Sequence, residues 1–296
     1  MNTESDLASF CLFTYNQENY IEEAIEGALS QTYNNLEIII SDDASTDGTQ
    51  DIINEIAKNY KGPHKIIVNF NEKNLGLVRH VNKILYEICQ GKFIFLGAGD
   101  DISLPLRVEN TVNFYVKNPT VVATGSNLQE INHLSVNNNS QNFKIGEQAI
   151  YGLEYYLSAS YQHLYGCTRT FTRELINAFP LLNSSCPTED TPLLFRAFLL
   201  NKKVAFLDEI MVKYRIHGNN VSSPENIVLM SINAIFAQYR RDLNFALKQN
   251  YISNKEYLAL KKGLKIRKNS RLKRKKIRDK VKDKIIEFLK IVLNKN

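Results

Sequence analysis

A chain of 296 residues with 44% apolar content can bury one large core or two small ones. Its four cysteines (Cys11, Cys89, Cys167 and Cys186) are scattered, with no CxxC pair or Cys/His cluster, which argues against zinc and fits reduced thiols better than a disulfide frame. The net charge of +6 conceals an asymmetry: residues 261–296 hold 16 Lys/Arg against 3 Asp/Glu, leaving 21 against 28 in the remainder. An acidic body argues against a nucleic-acid-binding core, and the basic tail needs its own account. The N-terminus carries no signal-peptide pattern, and no apolar run approaches the roughly 20 residues of a spanning helix.

Leu7 to Thr14 is apolar and predicts a first buried strand, ending in Tyr15 and Asn16. Asn19 with Glu22 has the spacing of a capping box, and Tyr20 to Leu29 then has helical periodicity. Leu36 to Ile40 predicts a second strand. It runs into a polar loop, Ser41 to Thr49, that caps a helix over Thr49 to Tyr60. Asp43 is placed to accept hydrogen bonds from a ribose or base edge, or to cap that helix, or the two roles are split between Asp43 and Asp47. Lys65 to Phe70 is a third strand, Asn71 to Gly76 a turn, and Leu77 to Ile88 a helix. The apolar run from Lys92 to Leu96 then ends in Gly97, Ala98 and Gly99, followed by the adjacent carboxylates Asp100 and Asp101.

Small residues at a strand end let a ligand or another backbone approach. Two neighbouring carboxylates there are costly unless a cation meets them. Mg²⁺ and Mn²⁺ take oxygen ligands and bridge carboxylates to phosphates. The simpler reading is a solvated Asp-Asp turn closing a strand. Strands alternating with helices predict an α/β fold with a mainly parallel, doubly wound sheet. Ligands of such sheets sit beyond the carboxyl ends of the strands. Thr14, Tyr15, Asn16, Asp42, Asp43, Asn74, Gly76, Gly99, Asp100 and Asp101 all fall at that edge. GxGxxG and GxxxxGK[ST] are both absent, so neutralisation of phosphates again points to a metal.

The second half is less regular. Lys117 to Asn127 reads as a helix end and a strand, and Glu130 to Ile145 as a polar loop without periodicity. The tyrosines of Tyr151 to Tyr165 read mostly as core, with acceptor contact as the minority role. Arg169 or Arg173 is a candidate phosphate contact, or a surface ion pair. Glu189 and Asp190 head a helical pattern (Thr191 to Leu200), where a carboxylate ordinarily caps. Val221 to Pro224 is a linker and Asn226 to Leu247 a long helix. In the tail, Ile277, Val281, Ile285, Phe288, Leu289 and Val292 make one helical stripe amid basic residues, the pattern of a membrane-surface helix.

Phe13-Thr14-Tyr15-Asn16, Ser41 to Thr49 (SDDASTDGT), Asn74-Leu75-Gly76, Gly99-Asp100-Asp101 with Leu104-Pro105, Thr188-Glu189-Asp190 and Tyr214 to Asn220 (YRIHGNN) follow one another in order. This series resembles the family-2 glycosyltransferases of GT-A fold, inverting nucleotide-sugar enzymes, over about residues 7 to 222. The resemblance implies a Rossmann-like mixed sheet. The nucleotide-binding half would be 1–105 and the acceptor half 106–222, followed by C-terminal helices over 223–296. It implies that Thr14, Tyr15 and Asp43 meet the base and ribose, and that Asp100 binds a Mn²⁺ or Mg²⁺ and the diphosphate as the last carboxylate of a DxD motif. The first aspartate position of that motif is Ala98, which removes a second carboxylate from the ribose side and leaves the metal ligand in place. It further implies that His217 approaches the metal or diphosphate, that Arg169 lines the donor-sugar pocket, and that Asp190 is the catalytic base. The expected donor is a nucleoside-diphosphate sugar, foremost a UDP-sugar. The expected acceptor is a lipid-linked saccharide for surface polysaccharide, at the cytoplasmic face of a bacterial membrane. The basic helix would lie on anionic lipid, no nucleic acid would be a partner, and the oligomeric state stays open. The alternatives are transfer to a polyprenyl phosphate or a protein, or a non-enzymatic membrane or nucleic-acid binder with a degenerate site.

Overall fold

The computed structural model describes residues 5–136, 148–157, 165–218, 220 and 230–293; within these, the side chains of residues 155, 157 and 276–293 are left out. The first half runs β1 (Ala8–Thr14), α1 (Ile21–Leu29), β2 (Leu36–Asp42), α2 (Thr49–Asn59), β3 (Lys65–Phe70), α3 (Leu77–Lys83, extended by a π-turn over Ile84–Ile88) and β4 (Phe93–Ala98). It continues through β5 (Ile102–Ser103), α4 (Arg107–Lys117), β6 (Val121–Ile131), β7 (Ala149–Tyr151), α5 (Leu153–Leu157), β8 (Thr170–Thr172) and α6 (Arg173–Asn177). The chain ends in α7 (Asp190–Leu199), β9 (Lys203–Arg215), α8 (Ile232–Lys248) and α9 (Asn254–Leu293).

All nine strands join one mixed sheet in the order β3-β2-β1-β4-β8-β6-β9-β5, with β7 also paired to β9. The first four strands in that order are parallel neighbours, as the strand–helix alternation predicts; β8 is antiparallel to both β4 and β6. The register sets Thr14 of β1 opposite Asp42 of β2, and Phe13 opposite Ala98 of β4. Three strand ends therefore open at one edge of the sheet.

The alternation along each strand decides which core it feeds. Phe10, Leu12, Ile38, Ile40, Phe93 and Phe95 pack with α1, α2 and α4 on one face. Cys11, Ile39, Ile94 and Leu96 face the other core, with α3, α6 and α7. Each fully buried Phe or Ile removes enough apolar surface to contribute about 2 kcal/mol. The second core also takes in Ile235, Phe236, Tyr239 and Leu243 of α8 and Leu260 and Leu264 of α9, so the C-terminal helices share it.

One local expectation differs, and one open alternative is decided. Asn19 and Glu22 form no capping box: α1 has no side-chain cap, and the amides of Tyr20 and Ile21 instead donate to the Gln17 carbonyl, each at 2.9 Å. Asp47, not Asp43, holds the start of α2, its Oδ1 accepting from the Thr49 amide and hydroxyl at 3.1 and 2.6 Å. The polar loop expected over 130–145, the aromatic stretch beyond Leu157 and the Val221 linker lie largely or wholly outside the described residues. The side chains of the apolar tail stripe lie outside the description as well. Among the described residues no helix is long and apolar enough to cross a membrane.

Candidate active site

The edge formed by β1, β2 and β4 is built by short polar side chains that tie loops to strand ends. Asp42 is fully buried; its Oδ1 accepts from the Ser45 amide at 2.9 Å and from Gln50 Nε2 at 2.6 Å, and its Oδ2 accepts from the Ser45 hydroxyl. Asn16, in the left-handed region at φ 52°, accepts the Thr46 amide on Oδ1 at 2.8 Å and so joins the β1 and β2 loops. Asp43 accepts from Asn71 Nδ2, the Leu75 amide and the Gly76 amide, each at 2.9 Å. Gly76, at φ 77°, turns the chain where a side chain would be strained, and Asn74 Oδ1 accepts from the same Gly76 amide at 2.9 Å. Tyr15 stays 45% exposed beside this floor, a flat surface at the open edge.

Gly99 serves close approach. A Cβ there would sit 2.2 Å from Gln17 Oε1 and 2.9 Å from Thr14 Oγ1. Both of those oxygens are buried and lack a hydrogen-bond partner. Buried polar atoms are nearly always paired, so two orphans at one strand end mark a place where polar capacity is held back.

Next to them, Asp100 Oδ2 lies 2.9 Å from His217 Nε2, joining positions 117 residues apart. Arg215 makes this possible. It is fully buried, its Nε donates to the Asp100 carbonyl at 2.9 Å, and its amide donates to Asp101 Oδ1 at 2.9 Å. Its remaining nitrogens bind the Asn132 carbonyl, the Ser135 hydroxyl and the Glu23 carboxylate. Tyr20 is held between the two, 4.9 Å from the Arg215 guanidinium and 4.8 Å from the His217 ring. Burial, and then the adjacent Asp100, push the Asp101 carboxyl well above the usual carboxylate range. Asp101 thus serves the turn, while Asp100 keeps 12% of its side chain exposed.

Asp100 and His217 offer a hard oxygen and an imidazole nitrogen, a donor pair that suits Mn²⁺ better than Mg²⁺. Among the described residues no three His, Cys, Asp or Glu side chains come together as a protein-only metal cage. A cation on this pair would draw its other ligands from substrate oxygens and water, as such cations commonly do.

A second group of residues gathers at the start of α7. Asp190 Oδ1 accepts from the Thr188 hydroxyl and the Thr191 amide, both at 2.5 Å. Its Oδ2 lies 3.5 Å from Arg169 Nη1, and a Cβ on Gly166 would come within 2.9 Å of it. Arg169 is 1% exposed, so this ion pair is shielded on its cationic side. Glu189 keeps part of its surface, but its Oε2 is buried without a hydrogen-bond partner. Burial and then the Asp190 charge push Glu189 up to about 7. Arg173, read as a possible phosphate contact, is committed elsewhere: it donates to the carbonyls of Leu85, Cys89 and Gly91 and locks the π-turn to β4.

Sequence reading passed over two residues. Tyr20 and Glu23 looked like ordinary helix residues, and nothing local marks them as partners of Arg215.

A sequence profile described as "Glycosyl transferase family 2" matches residues 9–178, more than half of the chain. The chain belongs to glycosyl transferase family 2. It is a transferase, and the motif order that suggested the family is borne out. A protein of Haemophilus influenzae named as a glycosyltransferase is 30% identical over 225 residues, covering 74% of this chain and 68% of that protein. A UDP-Glc:alpha-D-GlcNAc-diphosphoundecaprenol beta-1,3-glucosyltransferase of Escherichia coli, WfaP, is 38% identical over 109 residues, 37% of this chain and 41% of its own length. Among solved structures, Staphylococcus aureus TarS with UDP-GlcNAc superposes at TM-score 0.61 and 18% identity, over 81% of this chain and 66% of that one. The mannosyltransferase PcManGT of Pyrobaculum calidifontis, with GDP-Man and Mn²⁺, gives 0.62 and 16%, over 88% and 74%. These likenesses establish the GT-A fold for this glycosyltransferase.

Proposed function

We propose that this glycosyltransferase moves a sugar, with inversion, from a nucleoside-diphosphate sugar to a lipid-linked saccharide acceptor in bacterial surface-polysaccharide synthesis. The observation that carries this reading is the 2.9 Å contact between Asp100 and His217 at the edge where Thr14, Asp42 and Ala98 end their strands. WfaP, TarS and PcManGT are named for nucleotide sugars, and WfaP for a diphosphoundecaprenol acceptor, which supports the same classes here.

On this reading Tyr15 stacks on the nucleobase, and the loops tied by Asp42, Asp43, Asn16 and Asn74 shape the nucleoside floor. Asp100 and His217 would hold a divalent cation, which when bound draws the negative charge of the departing diphosphate. Asp190 takes the acceptor hydroxyl's proton on Oδ2, the oxygen that faces Arg169, while Thr188 and Thr191 donate to Oδ1. Arg169 orients Asp190 through their 3.5 Å ion pair. Glu189, its carboxyl raised to about 7, is about half protonated at neutral pH, which lessens the opposing charge at that site. The tail helix, dense in Lys and Arg, would hold the enzyme on an anionic leaflet, each such residue near the surface adding about 1 kcal/mol.

Calorimetric titration of UDP, GDP and dTDP, with and without Mn²⁺, against wild type and Asp100→Ala tests the donor side. One nucleotide should bind tightly with Mn²⁺ and lose that dependence in the variant. Binding by none of the three would sink the reading.

A further inference from the structure

The basic C-terminal helix does more than follow the catalytic body; its first half forms a wall of it. Leu260 and Leu264 are buried against the body, and Arg267 and Arg271 continue the same helical face at spacings of three and four. The Arg267 guanidinium lies 4.2 Å from the Tyr156 ring centroid and donates from Nη2 to the Tyr156 carbonyl. That of Arg271 lies 6.0 Å from the Phe236 ring. These rings belong to one aromatic group: Tyr156 meets Phe195 at 5.0 Å, Phe195 meets Tyr239 at 5.0 Å, and Tyr239 meets Phe236 at 5.3 Å. The Tyr239 hydroxyl neighbours Thr191 and lies within electrostatic reach of Arg271, Asp190 and Arg169 together.

Arg271 is thus brought to the neighbourhood of Asp190 around Tyr239, and Arg267, one turn earlier on α9, lies on the Tyr156 ring. Asp190 and Phe195 are five residues apart on α7, about 7.5 Å along its axis. That is on the scale of one sugar ring. From Lys261 to Lys275 the helix carries nine Lys/Arg and no Asp or Glu, a stretch of strongly positive charge. A face built only for docking would continue apolar where it meets aromatic rings. This one changes to guanidinium, whose fork matches phosphate oxygens.

We propose that Arg267 and Arg271 hold the diphosphate that joins the acceptor sugar to its lipid, setting the acceptor hydroxyl at Asp190. This rests on the lipid-linked acceptor reading above. Both would act as acceptor-binding residues, with Tyr156 and Phe236 positioning them.

The test uses the full chain with its nucleotide site saturated by the nucleoside diphosphate that binds best, so that a second diphosphate cannot enter there. A short-chain prenyl diphosphate is then titrated into wild type, R267A/R271A, R267K/R271K and the milder Arg271→Gln. Wild type should bind it, the double alanine variant should bind about tenfold or more weakly, the lysine variant should recover part of the loss, and nucleotide affinity should stay constant. A dihexanoyl phosphatidylglycerol below its micelle concentration should bind wild type about tenfold more weakly than the diphosphate. Equal affinity for the two would assign the arginines to a general lipid surface and overturn the proposal. So would unchanged affinity in both the double alanine and the glutamine variants, or no binding by wild type. Failure of the donor reading shows separately, as absent nucleotide binding before any prenyl diphosphate is added.

Discussion

The two ends of the candidate site solve their electrostatics differently. At the Asp100 edge, nearly every buried charge is matched by several hydrogen bonds: Asp42, Asp43 and Asp101 each accept backbone amides, and Arg215 spends its donors on Asp100, Asn132, Ser135 and Glu23. At the head of α7, two adjacent carboxylates share the field of Arg169, and a Glu189 oxygen stays buried without a hydrogen-bond partner. The first arrangement fixes geometry before any ligand arrives. The second keeps a proton equilibrium near neutrality. On the proposed reading, that division matches the work: holding a diphosphate needs rigid positioning, and deprotonating a hydroxyl needs carboxyl groups whose ionisation is separately tuned.

The sharpest way to break this contrast is Asp190→Asn. Transfer should fall by about a thousandfold, in the range of a lost general base, with nucleotide affinity within about twofold of wild type. Paired calorimetry and turnover measurements decide it; a matching loss of nucleotide affinity would merge the two regions into one.

Arg215→Ala attacks the other end. It leaves Asp101 buried with less compensation and frees Tyr20, and should cost about 3 kcal/mol of stability. Urea unfolding measures that loss, and nucleotide binding should weaken with it. A fully stable variant would show that the clamp is redundant.

Glu189→Gln sharpens the pH side. Because the folded-state pKa of Glu189 is raised to about 7, proton binding favours the folded state below the ordinary carboxylate range, and that advantage is lost as pH rises toward and through 7. The variant should therefore match wild type near pH 4.5 and exceed it by up to about 3 kcal/mol at pH 8. Thermal unfolding across pH gives the readout; parallel profiles for the two proteins would refute it.

The smallest effect concerns the tail. Removal of everything after Ser253 would strip Leu260 and Leu264 from the core, so the informative cut falls after Lys275. That truncation should reduce co-sedimentation with anionic vesicles by about tenfold and leave turnover on a soluble acceptor unchanged. Unaltered sedimentation would remove the membrane role from the distal helix.

Much of the donor edge was legible because its chemistry is local. Apolar runs of strand length ended in polar residues at a regular interval, and in a parallel sheet such ends must fall on one side. Thr14, Asp42, Asp43, Gly76 and Asp100 were found this way. Arg173 was misplaced because its carbonyl partners in the π-turn carry no side-chain signature. Nothing local pointed to the pairing of Arg169 with Asp190, which depends on how β8 runs against β4 and β6.

The sequence alone determined the alternation of strand and helix, the two-faced strands, the acidic turn after β4 and the charge asymmetry of the tail, all set by hydrophobic periodicity and residue type over short spans. Only the tertiary structure decided that His217 reaches Asp100, that Arg215 braces both through Tyr20 and Glu23, and that α9 lays Arg267 on Tyr156 and Arg271 by Phe236. Those contacts join residues far apart in the chain, and their partners are chosen by sheet order and helix docking, which no local pattern encodes.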